Sequence, residues 1–201
     1  MTPEWLAAIA SIGTFVVIAA TAVAALVQLR HMRSSNQIAA LNELRETIES
    51  EYFRSSAEFV HKSLPDLLND NLIRHQIAAG TRIPAIKELT PAATMADFFE
   101  QCGMFIKHGI IEPRLFCDLW SYNVLICWEA IAPLVINLRT IHDQPALWEN
   151  FEYLVTISKA WHDQHPDGNY PTRATREVMP ALWPEVTAAV SKRDDAANIT
   201  G

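Results

Sequence analysis

An uncharged apolar run near the N-terminus constrains this chain more than any other feature. From Trp5 to Leu29 the sequence reads WLAAIASIGTFVVIAATAVAALVQL, without Asp, Glu, Lys, Arg or His. As an α-helix this run is about 37 Å long, enough to cross a hydrocarbon core of about 30 Å with some tilt. We therefore predict a transmembrane anchor in residues 1–29.

Two other interpretations of this run stay open. A secretory signal peptide is also apolar, and the AVA at Ala22–Ala24 resembles a cleavage site. However, signal peptides begin with basic residues and have a shorter apolar stretch, whereas this chain begins MTPE, whose charged side chain is the acid Glu4. A buried helix of a soluble protein is the remaining alternative.

Basic residues follow the apolar run immediately and predict its orientation. Arg30, His31 and Arg33 lie on its C-terminal side, while the N-terminal side carries only Glu4 and the terminal amine. Lys and Arg residues beside a membrane helix tend to stay cytoplasmic. We therefore expect Arg30 and Arg33 to determine the topology, with the N-terminus outside and everything after about residue 30 in the cytoplasm.

One face of the predicted membrane helix is rich in small and hydroxylated side chains. In steps of four and three residues, this candidate contact face comprises Ala7, Ser11, Thr14, Thr21, Ala25 and Gln28, with Ile18 among them. In lipid, helices associate through close backbone approach and hydrogen bonds. The face is therefore a candidate contact with a second copy of the chain or with another membrane protein. Alternatively, Thr14 and Thr21 bond carbonyl groups of their own helix, and no Gly-x-x-x-Gly motif supports the contact.

The rest of the chain predicts an all-α fold, in which one N-terminal transmembrane helix is followed by a cytoplasmic helical bundle. The alternation typical of strands is absent, and the one Asp-Gly pair, Asp167-Gly168, lies between helical stretches. The predicted parts are the anchor at 1–29, a juxtamembrane amphipathic helix at 30–64, a cytoplasmic helical domain at 65–190 and a disordered tail at 191–201.

Proline, glycine and capping residues predict the helix boundaries. No Gly or Pro interrupts Arg30–Leu64, so we expect this helix to continue the anchor, with a bend at Ser34–Asn36. Its apolar stripe is suited to pair with a second copy as a coiled stalk, and comprises Ile38, Leu41, Ile48, Tyr52, Phe59 and Val60. Further helices are expected at Asp66–Ala79 before Gly80, at Thr90–His108 before Gly109, from Pro113 to Arg139 or His142 with a kink or split at Pro133, from Asp143 to before Pro166, and at Thr172–Val190.

Composition excludes some classes of partner and site. The formal net charge is -7, and no basic run exists beyond Arg30 and Arg33, so a nucleic-acid partner, which requires a basic face, is not expected. The chain has an odd number of cysteines, Cys102, Cys117 and Cys127, and none of them lies in a Cys-x-x-Cys motif or at the Cys/His spacing of a zinc site. They predict free thiols packed in a reduced compartment.

No established catalytic or cofactor motif is recognisable. Gly-rich phosphate loops, Gly-x-Ser-x-Gly and His-Glu-x-x-His are all absent. Glu58-x-x-His61, and His162-x-x-His165 with Asp163, have metal-ligand spacing, but a solvated Glu–His pair and helix-terminal histidines explain them more simply. We expect no catalytic residue, no metal and no cofactor.

Three glutamates beside aromatic residues are the remaining candidates for chemistry. Glu129, Glu149 and Glu152 flank tryptophan and phenylalanine in the segment 98–161. A carboxylate near apolar surface can have a raised pKa and act as a general acid. Arg139 is available as a partner, so an internal polar network is the main interpretation, with a surface position and catalysis as alternatives.

Three stretches of the sequence resemble an uncharacterised family of small, membrane-anchored bacterial proteins. They are ALVQLRHMR, FFEQCGMFIKHGIIEPRLFCDLW and CWE followed by LWENFEYLV, within residues 5–161. The resemblance implies a bacterial inner membrane and an all-helical fold. It carries over no activity and no catalytic residues.

Three hypotheses for function follow. The first is a single-pass protein of the bacterial inner membrane that presents a cytoplasmic helical interaction module to the bilayer, alone or as a homo-oligomer. The second is a membrane-tethered enzyme or small-molecule sensor with a pocket among the helices of 98–161, lined by Glu129 or Glu149. The third is a subunit of a larger membrane complex.

Overall fold

The structure, a computed structural model, describes residues 3–177 and 183, apart from the side chains of residues 4 and 6–10. The chain falls into two units, Met1–Pro166 and Asp167–Gly201, which we describe separately. The predicted all-α fold is confirmed, since the described residues form helices and no strand. The helices are α1 (Pro3–Glu49), α2 (Glu51–Lys62), α3 (Leu64–Asn69), α4 (Asn71–Ala78), α5 (Thr90–Lys107), α6 (Pro113–His142) and α7 (Glu149–Gln164), with short 3-10 turns at Ile83–Ala85 and Lys87–Leu89.

The core of the first unit lies among α5, α6 and α7, with α2 packed against α5. Its largest fully buried side chains come from α2, α3, the segment of the two 3-10 turns, the turn before α6, and α6 and α7, and α1 adds the buried Leu44. They include Val60, Leu64, Ile86, Leu89, Ile111, Phe116, Val124, Ile131, Leu134, Leu138, Phe151 and Leu154. We call this packed body, residues 37–166, the module.

The helix α1 is the longest element, and its two halves have different surroundings. At 1.5 Å per residue its 47 residues extend about 70 Å. Every described side chain from Ser11 to Asn36 is exposed, whereas Leu44 is buried in the module and Ile48 packs against its core. The apolar first half therefore projects from a module that the second half helps to build.

The long helix ends at Ser50, and this corrects the expectation of one helix through Arg30–Leu64. Ser50 is extended, and its hydroxyl donates to Thr47 O at 2.7 Å and accepts from Phe53 N at 3.2 Å, which caps α2. The guanidinium of Arg54 donates to Glu49 O, one of the last carbonyls of α1. Both helix ends are thus satisfied locally, which makes the break stable.

Two further expectations concern this segment. The helix α1 is continuous across Ser34–Asn36, so no new helix starts there, and the expected bend stays a prediction. Val60, a member of the predicted stripe, is buried in the core of its own module and is therefore not available to a coiled stalk between copies. Of the predicted stripe, Ile38 and Tyr52 are the exposed members, at 58% each.

The expected helix Asp66–Ala79 is two helices. Asp70 adopts an extended conformation and its Oδ1 accepts from Leu72 N at 2.8 Å and Ile73 N at 3.2 Å, so it starts α4. The predicted termination at Gly80 is confirmed, with a φ of 75° that glycine adopts without steric cost.

The predicted boundaries of α5 and α6 are confirmed. Gly109, with a φ of 68°, follows α5, and Pro113 begins α6, which continues to His142. Pro133 does not split α6, contrary to one of the two expected outcomes. Like α1, the helix α6 is long and apolar enough to cross a membrane. Nine of its side chains are buried, however, so it packs as a core helix of the module.

The beginning of α7 differs from expectation. Asp143 was predicted to start this helix, but it has a left-handed φ of 51° and ends α6, with its N–H donating to Arg139 O. The helix α7 begins six residues later, at Glu149.

In the second unit, residues 167–177 form turns, a bend and irregular backbone. The guanidinium of Arg176 donates to Asp167 O at 2.6 Å and lies 5.1 Å from the centre of the Tyr170 ring. The expected helix Thr172–Val190 is therefore wrong for residues 172–177. Its remainder, apart from Trp183, and the predicted tail at 191–201 lie outside the described residues.

Candidate functional site

One face of α5 carries a series of polar side chains that bind the start of α7. Asp97, Glu100 and Lys107, with Gly103 between them, recur at helical spacing and lie on the same side of α5. Their partners are Trp148, Glu149, Asn150 and Phe151. We call this set of residues on the two helices the clasp.

Glu100 performs the capping that the residue before α7 cannot. Trp148 precedes α7 and makes no side-chain cap. Instead, Glu100 accepts from the backbone N–H of Phe151 at 2.8 Å and from Asn150 Nδ2 at 2.7 Å. A carboxylate at this point also interacts favourably with the positive end of the helix dipole. A side chain of α5 therefore stabilises the first turn of α7 across 51 residues of sequence.

Two further contacts complete the clasp at its ends. Asp97 Oδ1 accepts from Trp148 Nε1 at 2.7 Å, so the buried indole has a partner for its donor. At the other end, Lys107 Nζ lies 3.1 Å from Asn150 Oδ1 and 3.4 Å from Glu149 Oε1. Sequence reasoning missed these roles, although the shared face of Asp97, Glu100 and Lys107 was legible in the spacing.

Aromatic packing lies beneath the clasp. The rings of Phe99 and Phe151 stack with centroids 5.0 Å apart, and Trp128 meets Phe151 edge-on at 4.9 Å. Phe53 of α2 meets Phe98 of α5 at 4.7 Å. These contacts join α2, α5, α6 and α7 into one core.

A cleft opens beside Trp148, between the 3-10 turns, α5 and the end of α6. It has a volume of about 380 Å³, within the range of small-molecule pockets. Apolar side chains such as Leu138 and Leu147 line it together with polar groups that can orient a ligand. The polar lining residues are Arg82, Thr90, Thr94, Asp97, His142 and Gln144.

Trp148 forms a wall of this cleft in an unusual backbone conformation. Its φ is 54°, in the left-handed region that bulky residues seldom adopt. The hydrogen bond to Asp97 and the burial of the indole hold it there. Strained residues of this kind cluster at functional sites, which makes the cleft a candidate for ligand binding.

The three glutamates singled out by sequence do not line this cleft. Glu129, Glu149 and Glu152 are all exposed. Glu152 forms an ion pair with Arg139 at 2.7 Å, and the Nε of Arg139 also donates to Leu147 O at 2.8 Å. The expectation of an internal network around these acids is corrected: the paired carboxylates lie at the surface, and the acid that caps α7 is Glu100.

Glu58, His162 and His165, from the two motifs with metal-ligand spacing, make separate local contacts. Glu58 binds Lys62 at 2.8 Å, and this pair lowers the pKa of the Glu58 carboxyl, through the hydrogen bond first and the charge second. His162 Nε2 lies 3.2 Å from Ser121 Oγ, and the rings of His165 and Trp161 lie with centroids 4.0 Å apart, tilted by 31°. Over the described residues, no group of three or more His, Cys, Asp or Glu side chains is arranged to hold a metal ion.

The three cysteines are buried free thiols. Burial raises the pKa of Cys127 to about 12 and raises the pKa of Cys102 and Cys117 as well. These thiols are therefore protonated at neutral pH, and a thiolate nucleophile is disfavoured at all three positions.

On the apolar half of α1, the described members of the candidate contact face are exposed. They are Ser11, Thr14, Thr21, Ala25 and Gln28, while the side chain of Ala7 lies outside the described residues. Thr21 Oγ1 donates to Val17 O at 2.8 Å, the local bond anticipated as the alternative. Arg30 and Arg33 are exposed at the end of this half.

An exposed apolar patch lies on the module where α1 adjoins α6. Leu115, Leu119 and Tyr122 share one face of α6 and are 44%, 61% and 66% exposed. Ile38 of α1, 58% exposed, lines a groove together with Leu119. We call these four residues the α1–α6 patch; sequence reasoning did not single it out.

Comparison with known proteins identifies a family without a known activity. No curated protein and no solved structure is significantly similar to the chain. The family model described as Domain of unknown function (DUF4760) matches residues 15–161, from within the apolar half of α1 to within α7. The resemblance to an uncharacterised family is thereby confirmed. Because the match covers most of its 201 residues, the chain belongs to the DUF4760 family.

Proposed function

We propose that this chain is a single-pass protein of the bacterial inner membrane that presents a cytoplasmic helical interaction module. In this proposal the apolar half of α1 crosses the bilayer, the N-terminus lies outside, and the module remains in the cytoplasm. The observation that carries it is the contrast within α1 between an exposed apolar half and a half packed into the module.

Exposure of the apolar half supports a lipid environment. Ile12, Phe15 and Leu26 are 64%, 72% and 61% exposed. In water a continuous apolar surface of this size is unfavourable, whereas in a bilayer it is solvated by acyl chains. A helix also satisfies its own backbone hydrogen bonds, as a membrane span requires.

Fractionation and reporter fusions test the anchor and its orientation together. In a bacterial host, the intact chain should sediment with membranes and resist alkaline carbonate. A C-terminal fluorescent protein should fluoresce, and a C-terminal alkaline phosphatase should be inactive. An intact chain in the soluble fraction contradicts the anchor, and loss of the first residues, measured by mass spectrometry, identifies a signal peptide instead.

The arginines after the span provide a matched test of topology. The variant Arg30→Glu/Arg33→Glu should raise the phosphatase-active fraction, because it removes the positive flank. The control Arg74→Glu/Lys159→Glu makes the same change of charge at two exposed positions of the module. It should leave the topology unchanged.

We further propose self-association through the candidate contact face and the α1–α6 patch, which lie on the same long helix and its neighbour. The internal bond of Thr21 uses its donor, so the face would act mainly through small size and close approach.

Förster energy transfer between two labelled full-length copies should fall for Thr14→Leu/Thr21→Leu and for Leu119→Ser/Tyr122→Ser. Phe15→Leu/Val23→Leu, off the face, should not change it. Equal transfer in all variants contradicts self-association, and co-purification of a different protein favours the larger-complex alternative.

The cleft favours a second candidate function, binding of a small organic anion. Arg82 and His142 line it beside apolar walls, an arrangement suited to a carboxylate with an apolar body. A panel of small carboxylates should include some that raise the thermal midpoint of the detergent-solubilised chain. Arg82→Gln should abolish that rise and Arg74→Gln should not. A panel without any stabilising member contradicts this function.

A further inference from the structure

A groove lies where α1 leaves its apolar run. Its walls come from two places, the residues of α1 around Arg30 and the turn between α5 and α6, and its volume is about 570 Å³. We call it the juxtamembrane groove. The described lining residues are Leu26, Leu29, Arg30, Met32, Arg33, Asn36, Gly109 and Ile110.

The lining is amphipathic along the helix axis. Leu26 and Leu29 belong to the apolar run, and both are 61% exposed, whereas Arg30 and Arg33 follow it. No acid is among the described lining residues. The groove therefore combines an apolar end continuous with the proposed span and a cationic end just beyond it.

The wall opposite α1 is held firmly by the module. Ile110 N donates to Phe105 O at 2.9 Å and Gly109 N donates to Ile106 O at 3.0 Å, so the turn closes on the end of α5. Ile111 is fully buried, while the adjacent Ile110 remains 41% exposed. An exposed isoleucine on a rigid turn, directed at the membrane-proximal part of α1, suits contact with an acyl chain.

We propose that the juxtamembrane groove binds an anionic phospholipid. This inference rests on the proposed membrane anchor. The headgroup phosphate pairs with Arg30 and Arg33, and the upper acyl chain lies along Leu26, Leu29 and Ile110. Arginine is suited to this role because its planar guanidinium binds phosphate oxygens through paired hydrogen bonds.

A lipid explains the whole lining, whereas a free anion explains only part of it. Inorganic phosphate would use the arginines and leave Leu26, Leu29 and Ile110 without a partner. A lipid also fits the level of the groove, because basic residues beside a span lie among anionic headgroups. Its consequence is mechanical: a lipid held between α1 and the α5–α6 turn fixes the module against the bilayer surface.

Lipid retention by the full-length protein tests this proposal. The chain, purified in mild detergent, is mixed with equal amounts of phosphatidylglycerol and phosphatidylcholine, and native mass spectrometry measures the lipid adducts. Phosphatidylglycerol should be retained preferentially. Arg30→Gln/Arg33→Gln should lower that preference by about fivefold for each arginine lost, and Arg74→Gln/Lys159→Gln should not.

A second variant separates the groove from general charge effects. Ile110→Ser keeps every charge, and its side chain is partly exposed, so the module should fold. It should weaken retention of both lipids, since it removes the acyl contact. Equal retention of the two lipids by the unaltered chain, or Arg30→Gln/Arg33→Gln without effect, overturns the proposal. So does complete competition by millimolar inorganic phosphate, which identifies a free-anion site.

Failure of this inference is distinguishable from failure of the anchor. A chain that sediments with membranes but retains both lipids equally retains its proposed function and lacks the lipid site. A chain found intact in the soluble fraction lacks both.

Discussion

Gly103 of α5 lies directly against the backbone of Asn150 at the start of α7. A Cβ placed on Gly103 would lie 2.0 Å from Asn150 O and 2.6 Å from its carbonyl carbon. Real side chains do not approach so closely, and a backbone carbonyl in the first turn of a helix cannot rotate away. The clasp therefore requires glycine at this position, on packing grounds and without any positive φ.

Replacement of this glycine should destabilise the module. Gly103→Ala forces α5 and α7 apart, which lengthens the bonds of Glu100 and costs about 1–3 kcal/mol, as overpacked cores do. For a chain of this size that corresponds to a thermal midpoint lower by about 3–10 °C, measured by tryptophan fluorescence in detergent.

The control for this variant is Gly13→Ala. Gly13 is also helical, and nothing lies within 4 Å of its added Cβ. Alanine should be neutral or slightly stabilising there, because its helix propensity is higher than that of glycine. An equal midpoint for Gly103→Ala and the unaltered chain would show that α7 is not held against α5 in this way.

Removal of the capping carboxylate should destabilise the start of α7. In Glu100→Ala the backbone N–H of Phe151 and the amide of Asn150 lose their acceptor, at a cost of about 1–3 kcal/mol. Hydrogen exchange should quicken at the first amides of α7 while the middle of α6 stays protected, which distinguishes a local cap from a general loss of stability.

A nearby acid serves as the comparison for Glu100. Glu149 is 53% exposed and 3.4 Å from Lys107, a weak ion pair. Glu149→Gln should change stability by less than about 0.5 kcal/mol. If both variants behave alike, the two bonds to Glu100 contribute no more than a surface contact.

Sequence reasoning predicted the helices whose ends carry strong signals. Thr90-Pro91 and Gly109 bound α5, and Pro113 starts α6, because proline and glycine restrict the backbone wherever they stand. The apolar half of α1 was equally predictable as a helix, since an uncharged apolar run of that length has few other structural interpretations.

The breaks at Ser50 and Asp70 were missed for a physical reason. Serine and aspartate are common within helices as well as at their starts, so a cap is decided by what the next turn buries. Here Phe53 and Ile73 enter the core just after each break. That burial is a tertiary property, and a local pattern does not contain it.

Only the α5 side of the clasp could be predicted from the sequence. Asp97, Glu100, Gly103 and Lys107 share a helix face that the sequence displays, and a glycine inside a helix is a known sign of close approach. Their partners lie about 50 residues away, and the pairing depends on how α7 packs against α5. Sequence reasoning therefore named glutamates beside tryptophan that are exposed in the structure, and it missed Glu100.

The cap at Ser50 gives a prediction about the junction between α1 and the module. Ser50→Ala removes the acceptor of Phe53 N and should cost about 0.5–2 kcal/mol. Hydrogen exchange should quicken in the first turn of α2. Ser55→Ala is the matched control, because the Ser55 hydroxyl donates to the Tyr52 carbonyl on an exposed helix face and caps no helix. If exchange in α2 is the same in both variants, the cap does not define the break.

The buried thiols give a prediction about alkaline pH. Burial raises the pKa of Cys127 from 9.0 to about 12, and raises that of Cys102 in the same direction. Above pH 9 the unfolded chain releases these protons while the folded chain keeps them, so the unfolded state binds fewer protons. The free energy of unfolding must therefore fall as pH rises from 9 towards 12, by up to about 1.4 kcal/mol per pH unit for each thiol.

A cysteine-free comparison isolates this effect from other alkaline titrations. Cys102→Ala/Cys127→Ala should have a lower thermal midpoint at pH 7, because it leaves cavities, but its midpoint should fall less steeply between pH 9 and 10.5. Lysine and tyrosine titrate alike in both proteins, so the difference in slope belongs to the two thiols. Parallel slopes would mean that water reaches Cys102 and Cys127 in the folded state, and that the core between α5 and α6 is less closed than their burial of 99% or more indicates.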